Sequence, residues 1–295
     1  MKRISFCLLL LFVVAFIFLG CASTNARTAI RDLENEGFTD ICVFPTKEVL
    51  RPSFFLDKYT FVETRDYAIT LRDVITGKKS VILQLHPKTN NCGIKIYSLK
   101  NDEMFFSTKD KKDFDIYRYN LTEELLTLLK HIDLEKEHPL SFSFFDEEQQ
   151  QIYIEQGNDG YIYCYDLLPD SNYLKKQHYE RTYYEELYPF EAFNTDTKQK
   201  EIHYIYPYRK NFSISDFVKI NDDEYLAVNR CGLYKSELCI INVKTNTSRL
   251  FRLKDFGYEI TWLFQVDEHE FCFIVCCQNN STVLCYFTKD ILESQ

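Results

Sequence analysis

The residues best suited to binding chemistry form one aromatic stretch between His178 and Phe212. Aromatic faces stack on sugar rings, and tyrosine hydroxyls supply hydrogen bonds. The candidate ligand-binding residues of this stretch are Tyr183, Tyr184, Tyr188, Tyr204 and Tyr206. The same side chains are equally suited to packing inside and between irregular strands. The stretch therefore predicts either a glycan or peptide site or a patch of core.

Carboxylates flank this stretch, and most glycoside hydrolases need two of them at a defined separation. They are Glu180, Glu185, Glu186 and Glu191. Sequence alone does not give their separation, so the catalytic residues are unknown. The motifs G-x-S-x-G, H-E-x-x-H and G-x-G-x-x-G and the P-loop are absent. A binding or scaffold protein is therefore favoured, and a glycan-active enzyme, a hydrolase or lyase, is the alternative.

The sequence predicts no metal site and no cofactor. The six histidines are scattered, without the close pairs that metal sites use. His269 lies in the charged run Asp267–Glu270, which is typical of a solvated turn. Asp110, Asp113 and Asp115 lack the glycine and the distal glutamate of a calcium loop.

The first 26 residues have the pattern of a targeting segment. Basic Lys2 and Arg3 precede an apolar run that ends at Leu19, and small residues follow. The segment Phe18-Leu19-Gly20-Cys21 resembles the lipobox of bacterial lipoproteins. That resemblance implies a signal peptide over residues 1–20, acylation of the Cys21 thiol and a tether over residues 21–37. An ordinary signal peptide cut near Ala26 and an uncleaved anchor helix are the alternatives.

Composition narrows the possible classes further. The 295 residues are 45% hydrophobic and 27% charged, which excludes a disordered chain and a polytopic membrane protein. The net charge is -9, so repulsion from phosphate backbones argues against a nucleic-acid partner. Most of the 11 cysteines lie in apolar runs and are expected to be small buried residues. Cys231 with Cys239, or Cys272 with Cys285, could form disulfides across hairpins.

A strand pattern recurs along the chain. Each copy ends at a small turn-forming residue, and three of the four spacings between these residues are about 46. Four positions before it lies an aliphatic residue: Ile69, Ile116, Ile162, Leu238 or Leu284. Each copy holds strands parted by polar turns, such as Asn101-Asp102. A period of this length made of four strands is typical of β-propeller blades, so the predicted fold is an all-β propeller over residues 38–295.

The number of blades depends on a long gap between the third and fourth copies. Residues 202–207 lie in that gap and form a degenerate strand, which makes six blades the best estimate and leaves five or seven open. Residues 122–130 have helical spacing, yet their place in the repeat favours an outer strand.

Closure of the propeller requires a strand from the N-terminal side. Only seven residues follow Thr288, too few for a further strand, and an unpaired edge invites aggregation. Residues 38–44 are apolar and β-branched, and Pro45 ends the run. We therefore expect residues 38–44 to pair with the final blade near Val283–Phe287.

The repeat and the lipobox together resemble the bacterial six-bladed β-propeller lipoproteins, broadly of the TolB-like type. This resemblance implies a fold and a binding surface but no particular chemistry. It implies a protein on the extracytoplasmic side of a bacterial membrane, held there by lipid at Cys21. A protein or a glycan of the cell envelope is the expected partner.

Overall fold

The computed structural model describes residues 26–46, 50–86, 93–111, 113–134, 140–156, 160–167, 174–180, 182, 184, 186–232, 234–277 and 280–293. Cys21, Tyr183 and Glu185 lie outside these ranges, as do Asn158 and Asp159. Within the ranges, no helix combines the length and the apolar character needed to cross a bilayer.

The described chain is almost wholly β-structure, as its many aromatic and β-branched residues favour. A helix, α1, occupies residues 26–35, and a second, α2, occupies Lys289–Glu293. The strands are β1 (Asp40–Val43), β2 (Pro52–Asp57), β3 (Thr60–Arg65), β4 (Ala68–Asp73), β5 (Lys79–Gln84), β6 (Gly93–Lys100), β7 (Glu103–Asp110), β8 (Asp113–Asn120), β9 (Leu125–Asp133), β10 (Leu140–Asp146), β11 (Gln151–Gln156), β12 (Tyr161–Asp166), β13 (Leu174–His178), β14 (Tyr188–Asn194), β15 (Gln199–Ile205), β16 (Ile214–Lys219), β17 (Glu224–Gly232), β18 (Lys235–Asn242), β19 (Thr247–Phe256), β20 (Glu259–Gln265), β21 (Glu270–Cys276) and β22 (Thr282–Thr288).

The strands form a β-propeller with five four-stranded blades. Blades 1, 2, 3 and 4 are β2–β5, β6–β9, β10–β13 and β16–β19, and blade 5 is β20–β22 with β1 at its edge. The expectation of six blades is therefore wrong. Where a sixth was expected, β14 and β15 form a two-stranded sheet, here called the hairpin unit. Residues 206–213 then lead directly from β15 to β16, so the unit gains no further strands.

The even strand number of every sheet gives the propeller two distinct faces. Because neighbouring strands are antiparallel, the chain returns to one face before each new sheet begins. We call this the leading face; it carries the links between sheets and the turns between second and third strands. The opposite, trailing face carries the remaining turns.

Apolar clusters join every pair of neighbouring sheets. One cluster joins blade 1 to blade 2, and others join blade 2 to blade 3, blade 3 to the hairpin unit, that unit to blade 4, blade 4 to blade 5, and blade 5 to blade 1. The five equivalent aliphatic residues of the repeat are all buried within these clusters, at 0 or 1% exposure: Ile69, Ile116, Ile162, Leu238 and Leu284. The predicted alignment of the repeats is confirmed by their burial.

The N-terminal strand β1 lies beside the last strand of the chain. It pairs antiparallel with β22, with Asp40 opposite Tyr286 and Val43 opposite Val283. This is the pairing expected for residues 38–44. Lys58, in the first turn of blade 1, contacts both Asp40 of β1 and Glu270 of β21.

Helix α1 packs on the propeller, although the sequence assigns its residues to a tether. Ala26, Ala29 and Leu33 are buried in the cluster between blades 4 and 5. The helix ends at Gly37, whose φ of 88° is the left-handed conformation that glycine adopts at helix ends. Phe38 follows, fully buried, with its ring 5.3 Å from that of Phe273.

Two further expectations concern single elements. Residues 125–133 form strand β9, the outer strand of blade 2, so the strand interpretation of residues 122–130 is confirmed over most of its length. The eight cysteines in the described ranges are free thiols, so neither of the two possible disulfides is formed. Burial raises the pKa of the Cys272 and Cys285 thiols well above its usual range.

Candidate binding face

The aromatic stretch supplies two loops, the first of them on the leading face. Residues 179–187 link blade 3 to the hairpin unit, and residues 206–213 link that unit to blade 4. β14 and β15 hold both loops because the first loop leads into β14 and the second leaves β15.

The structure brings two of the five candidate tyrosines together. The ring of Tyr184 lies edge-on to that of Tyr204, with centroids 4.8 Å apart and an interplanar angle of 80°. The backbone N–H of Thr182 donates a hydrogen bond to the Tyr204 hydroxyl at 2.7 Å, which holds the loop against the strand. Tyr184 is 49% exposed. The pair therefore offers an accessible aromatic surface of the kind that stacks on sugar rings.

The other candidates have different positions. Tyr188 is half-buried, with its ring 5.1 Å from Phe212, and its hydroxyl accepts a hydrogen bond from the Ile214 N–H. Burial raises the pKa of the Tyr188 phenol. Tyr206 is 58% exposed, and its backbone N–H donates to the Asn246 carbonyl beside blade 4. Tyr188 thus supports the core, as the packing interpretation predicts, while Tyr206 stands alone at the surface.

A buried polar network fixes the second loop. The Tyr208 hydroxyl donates to Glu237 at 2.6 Å, and the Arg209 guanidinium contacts the same carboxylate at 2.5 Å. Asn229 donates to the Tyr208 hydroxyl and accepts a hydrogen bond from the Ser213 N–H. Burial raises the pKa of the Tyr208 phenol, and the hydrogen bond with Glu237 raises it further. These contacts hold residues 206–213 against blade 4 and account for the chain's direct passage to β16.

A cavity of about 410 Å³ opens on the same face between blades 1 and 2. Arg51, Thr64, Arg65, Asp66 and Tyr67 line it, together with the start of β6. Arg65 lies 3.6 Å from Asp66. Two arginines and one aspartate are therefore the charged residues of its lining.

The cavity wall includes a strained turn. Asp66 and Tyr67 join β3 to β4, with φ of 51° and 61°. A two-residue hairpin of this type needs positive φ at both positions, for which Asn and Gly are usual. A bulky residue such as Tyr67 is an outlier there, and such strain concentrates at functional sites. Sequence reasoning missed this turn because no Asn-Gly or Asp-Gly pair marks it.

The carboxylates do not converge on an open site. All four buried carboxylates in the described ranges pair with a cation: Glu63 with Arg72, Asp146 with Lys198, Glu155 with Lys200 and Glu237 with Arg209. Lys200 also contacts Glu191 at 2.7 Å, while Glu180 and Glu186 are exposed in the loop.

The turn predicted at Asp267–Glu270 is also seen, whereas Asp110 ends β7 and Asp113 and Asp115 lie in β8. Asp267 accepts hydrogen bonds from the N–H groups of His269 and Glu270, and these hold the pKa of its carboxyl below its usual range. Across the described ranges, no group of three or more His, Cys, Asp and Glu side chains is placed to hold a metal ion.

The five blades and the hairpin unit define the protein as a β-propeller. Solved structures with a similar fold include the PQQ-bound aldose sugar dehydrogenase of Streptomyces coelicolor, at 13% identity over 85% of this chain and 98% of that chain, with a TM-score of 0.51. They also include an oligogalacturonate lyase in complex with manganese, at 10% identity over 81% of this chain and 77% of that chain, with a TM-score of 0.47.

TolB from Acinetobacter baumannii has 14% identity over 81% of this chain and 54% of that chain, with a TM-score of 0.33. Neither a protein-family model nor a curated protein matches the chain in sequence. At these identities the likeness concerns the fold alone.

Proposed function

We propose that the chain is a lipid-anchored β-propeller on the extracytoplasmic side of a bacterial membrane, where it binds a protein or glycan of the cell envelope. Anchoring is through acylated Cys21, as the lipobox-like segment ending there implies. The binding surface is the leading face. The Tyr184–Tyr204 pair carries the proposal, because Tyr184 is exposed and packs edge-on against the half-buried ring of Tyr204, which gives an aromatic surface open to a ligand.

The pairing of the carboxylates supports binding over the alternative of a glycan-active enzyme. A glycosidase needs one carboxyl group protonated and a second free to act as base or nucleophile. Glu155 and Glu191 are the pair nearest to this requirement, and Lys200 lies between them with its ammonium within 2.8 Å of each. Both carboxylates are therefore engaged in ion pairs with one lysine, and neither is open to a substrate as the acid or the nucleophile would have to be.

The proposal also includes the role of β1. We propose that its pairing with β22 closes the ring, so that blade 5 gains its fourth strand from the N-terminal side of the chain. The contacts of Lys58 with Asp40 and Glu270 support this role, because they join blade 1 to both strands.

Anchoring is tested by Cys21→Ser, since acylation needs the thiol. The wild-type chain should partition into the detergent phase and the variant into the aqueous phase. A variant that stays in the detergent phase would show that the N-terminal apolar segment is an uncleaved helix.

Binding is tested with the soluble Cys21→Ser protein and purified peptidoglycan in a cosedimentation assay, and by photocrosslinking from position 184 in intact cells. We expect Tyr184→Ala to weaken binding about tenfold, which is ~1.4 kcal/mol and lies at the upper end of the ~0.5–1.5 kcal/mol of one stacked aromatic ring. Tyr59→Ala is the matched control, because Tyr59 is 52% exposed on the trailing face. Equal binding or crosslinking from positions 59 and 184 would contradict the proposed face.

A further inference from the structure

We infer that the leading face of the propeller lies against the membrane, an inference that rests on the proposed anchor at Cys21 and adds the orientation of the domain. Its basis is the position of α1, the length of chain between that helix and Cys21, and the distribution of charge between the two faces.

Helix α1 lies beside the leading end of blade 4 along its length. Thr28, in its first turn, is hydrogen-bonded to the phenol of Tyr258, which directly precedes β20 at the leading face. Further along, Glu36 accepts a hydrogen bond from the Leu253 N–H and lines a cavity with Phe256 and Gly257, at the leading end of β19. The chain then reaches Asp40, which is opposite Tyr286 near the trailing end of β22. Ala26, two residues before Thr28, is therefore at the leading face.

The chain between the anchor and this helix is short. Four residues, 22–25, separate Cys21 from Ala26, and the five steps between the two Cα atoms span at most roughly 18 Å when fully extended. The seven residues of β22 cross the propeller from one face to the other, a distance of roughly 23 Å. A link of this length cannot bring the trailing face to the bilayer while α1 stays packed. It does hold the leading face close to the lipid.

The exposed charges favour the same orientation. In the described trailing-face turns, only Lys78 and Lys244 oppose nine exposed carboxylates: Asp102, Glu123, Glu124, Glu147, Glu148, Asp196, Asp222, Asp267 and Glu268. In the described loops of the leading face the exposed charges balance, with Arg51, Lys111 and Lys210 against Asp66, Glu180 and Glu186. An anionic membrane surface therefore repels the trailing face and tolerates the leading face.

The orientation restricts the partner. A face held within roughly 18 Å of lipid is positioned for ligands at or close to the membrane surface. The Tyr184–Tyr204 pair and the cavity beside Tyr67 then face a membrane-bound glycan or the extramembrane part of a membrane protein.

The orientation is measured by energy transfer from a coumarin amino acid to rhodamine-headgroup lipid, in vesicles of phosphatidylethanolamine and phosphatidylglycerol that carry the full acylated chain. Two blades supply matched positions. In blade 1, Asp66 is on the leading face and Tyr59 on the trailing face; in blade 4, Tyr234 is on the leading face and Asp222 on the trailing face. All four side chains are exposed, so labelling should leave the fold intact.

We expect at least twofold higher transfer efficiency at the leading position of both pairs. Equal transfer, or higher transfer at the trailing positions, overturns the inference. A difference in one blade alone overturns it too, because the membrane would then lie along the rim.

Mass spectrometry of Cys21 separates failure of the inference from failure of the anchor. If Cys21 is acylated and transfer is equal at both faces, the proposed anchor is supported and the inferred orientation is overturned. If Cys21 is not acylated, the proposed anchor is wrong. The orientation is then decided by replacing residues 1–21 with six histidines and binding the chain to nickel-chelating lipid, which keeps the same point of attachment.

Discussion

Phe38→Ala tests whether the N-terminal segment holds the propeller together. The Phe38 ring is fully buried in the cluster between blades 4 and 5. It makes edge contacts with Phe273 at 5.3 Å and Phe287 at 5.6 Å, and the Arg252 guanidinium lies 5.7 Å above it. Truncation of a buried phenylalanine costs ~3–5 kcal/mol through lost burial and the cavity left behind. We expect a loss of free energy of unfolding in that range.

The assay is equilibrium unfolding in urea, followed by two probes. Trp262 is the single tryptophan of the chain and lies in β20, so its fluorescence reports on blade 5. Far-ultraviolet circular dichroism reports on the strands of all sheets. If the ring unfolds as one unit, both transitions should shift together. Removal of residues 22–44 should shift both further, because it also removes β1.

Val43→Ala is the matched control, since Val43 is on β1 but 44% exposed. Its effect should stay within about 0.5 kcal/mol. A loss below about 1 kcal/mol for Phe38→Ala would refute the reasoning. So would a shift in the fluorescence transition alone, because it would show that blade 5 unfolds apart from the others.

Three further predictions concern single side chains. Burial raises the pKa of Asp216 to about 6, despite hydrogen bonds from the N–H groups of Leu263 and Phe217. Between pH 4 and 7, the free energy of unfolding of the wild type should therefore fall by about 3 kcal/mol relative to that of Asp216→Asn. The sign follows because the unfolded carboxyl ionises near pH 4, while the folded one stays protonated until near pH 6. If the difference in urea midpoint between wild type and Asp216→Asn is the same at both pH values, this prediction is contradicted. Tyr67→Gly should raise stability by about 1 kcal/mol by relieving the positive φ, and a lower thermal midpoint would show that the ring makes stabilising contacts. Ile162→Ala should cost ~2–5 kcal/mol in urea unfolding, and a loss no larger than that of the exposed Ile75→Ala would place the repeat alignment in error.

The sequence predicts the regular part of this fold well because the repeat consists of aliphatic residues at fixed spacing, and these residues are buried. Ile69 and its four equivalents follow from spacing alone, and their burial agrees with that spacing. The strand at residues 202–207 is also found, as β15 over Gln199–Ile205. The blade number was wrong because it depends on residues 206–213. Their course is set by contacts of Tyr208 and Arg209 with Glu237, which is distant in sequence.

The candidate site was predictable only in part. Tyr184 and Tyr204 were identified by residue type, but their edge contact depends on the loop that Thr182 fixes. Tyr188 has the same side chain but packs against Phe212 inside the sheet contacts, and residue type alone does not distinguish it from Tyr184. The cavity beside Arg51 was missed because a backbone conformation, the positive φ of Tyr67, forms its wall. Acylation of Cys21 stays a prediction.

The free thiols have a consequence for how the chain can be made. Five of the eight described cysteines are buried in the folded protein, where oxidants and alkylating agents cannot reach them. That protection exists only after the strands have paired. A newly exported chain in a strongly oxidising compartment would expose every thiol at once, and wrong cross-links would compete with ring formation. Yield of native protein should therefore depend on keeping the chain reduced during folding, and the finished propeller should tolerate oxidant afterwards.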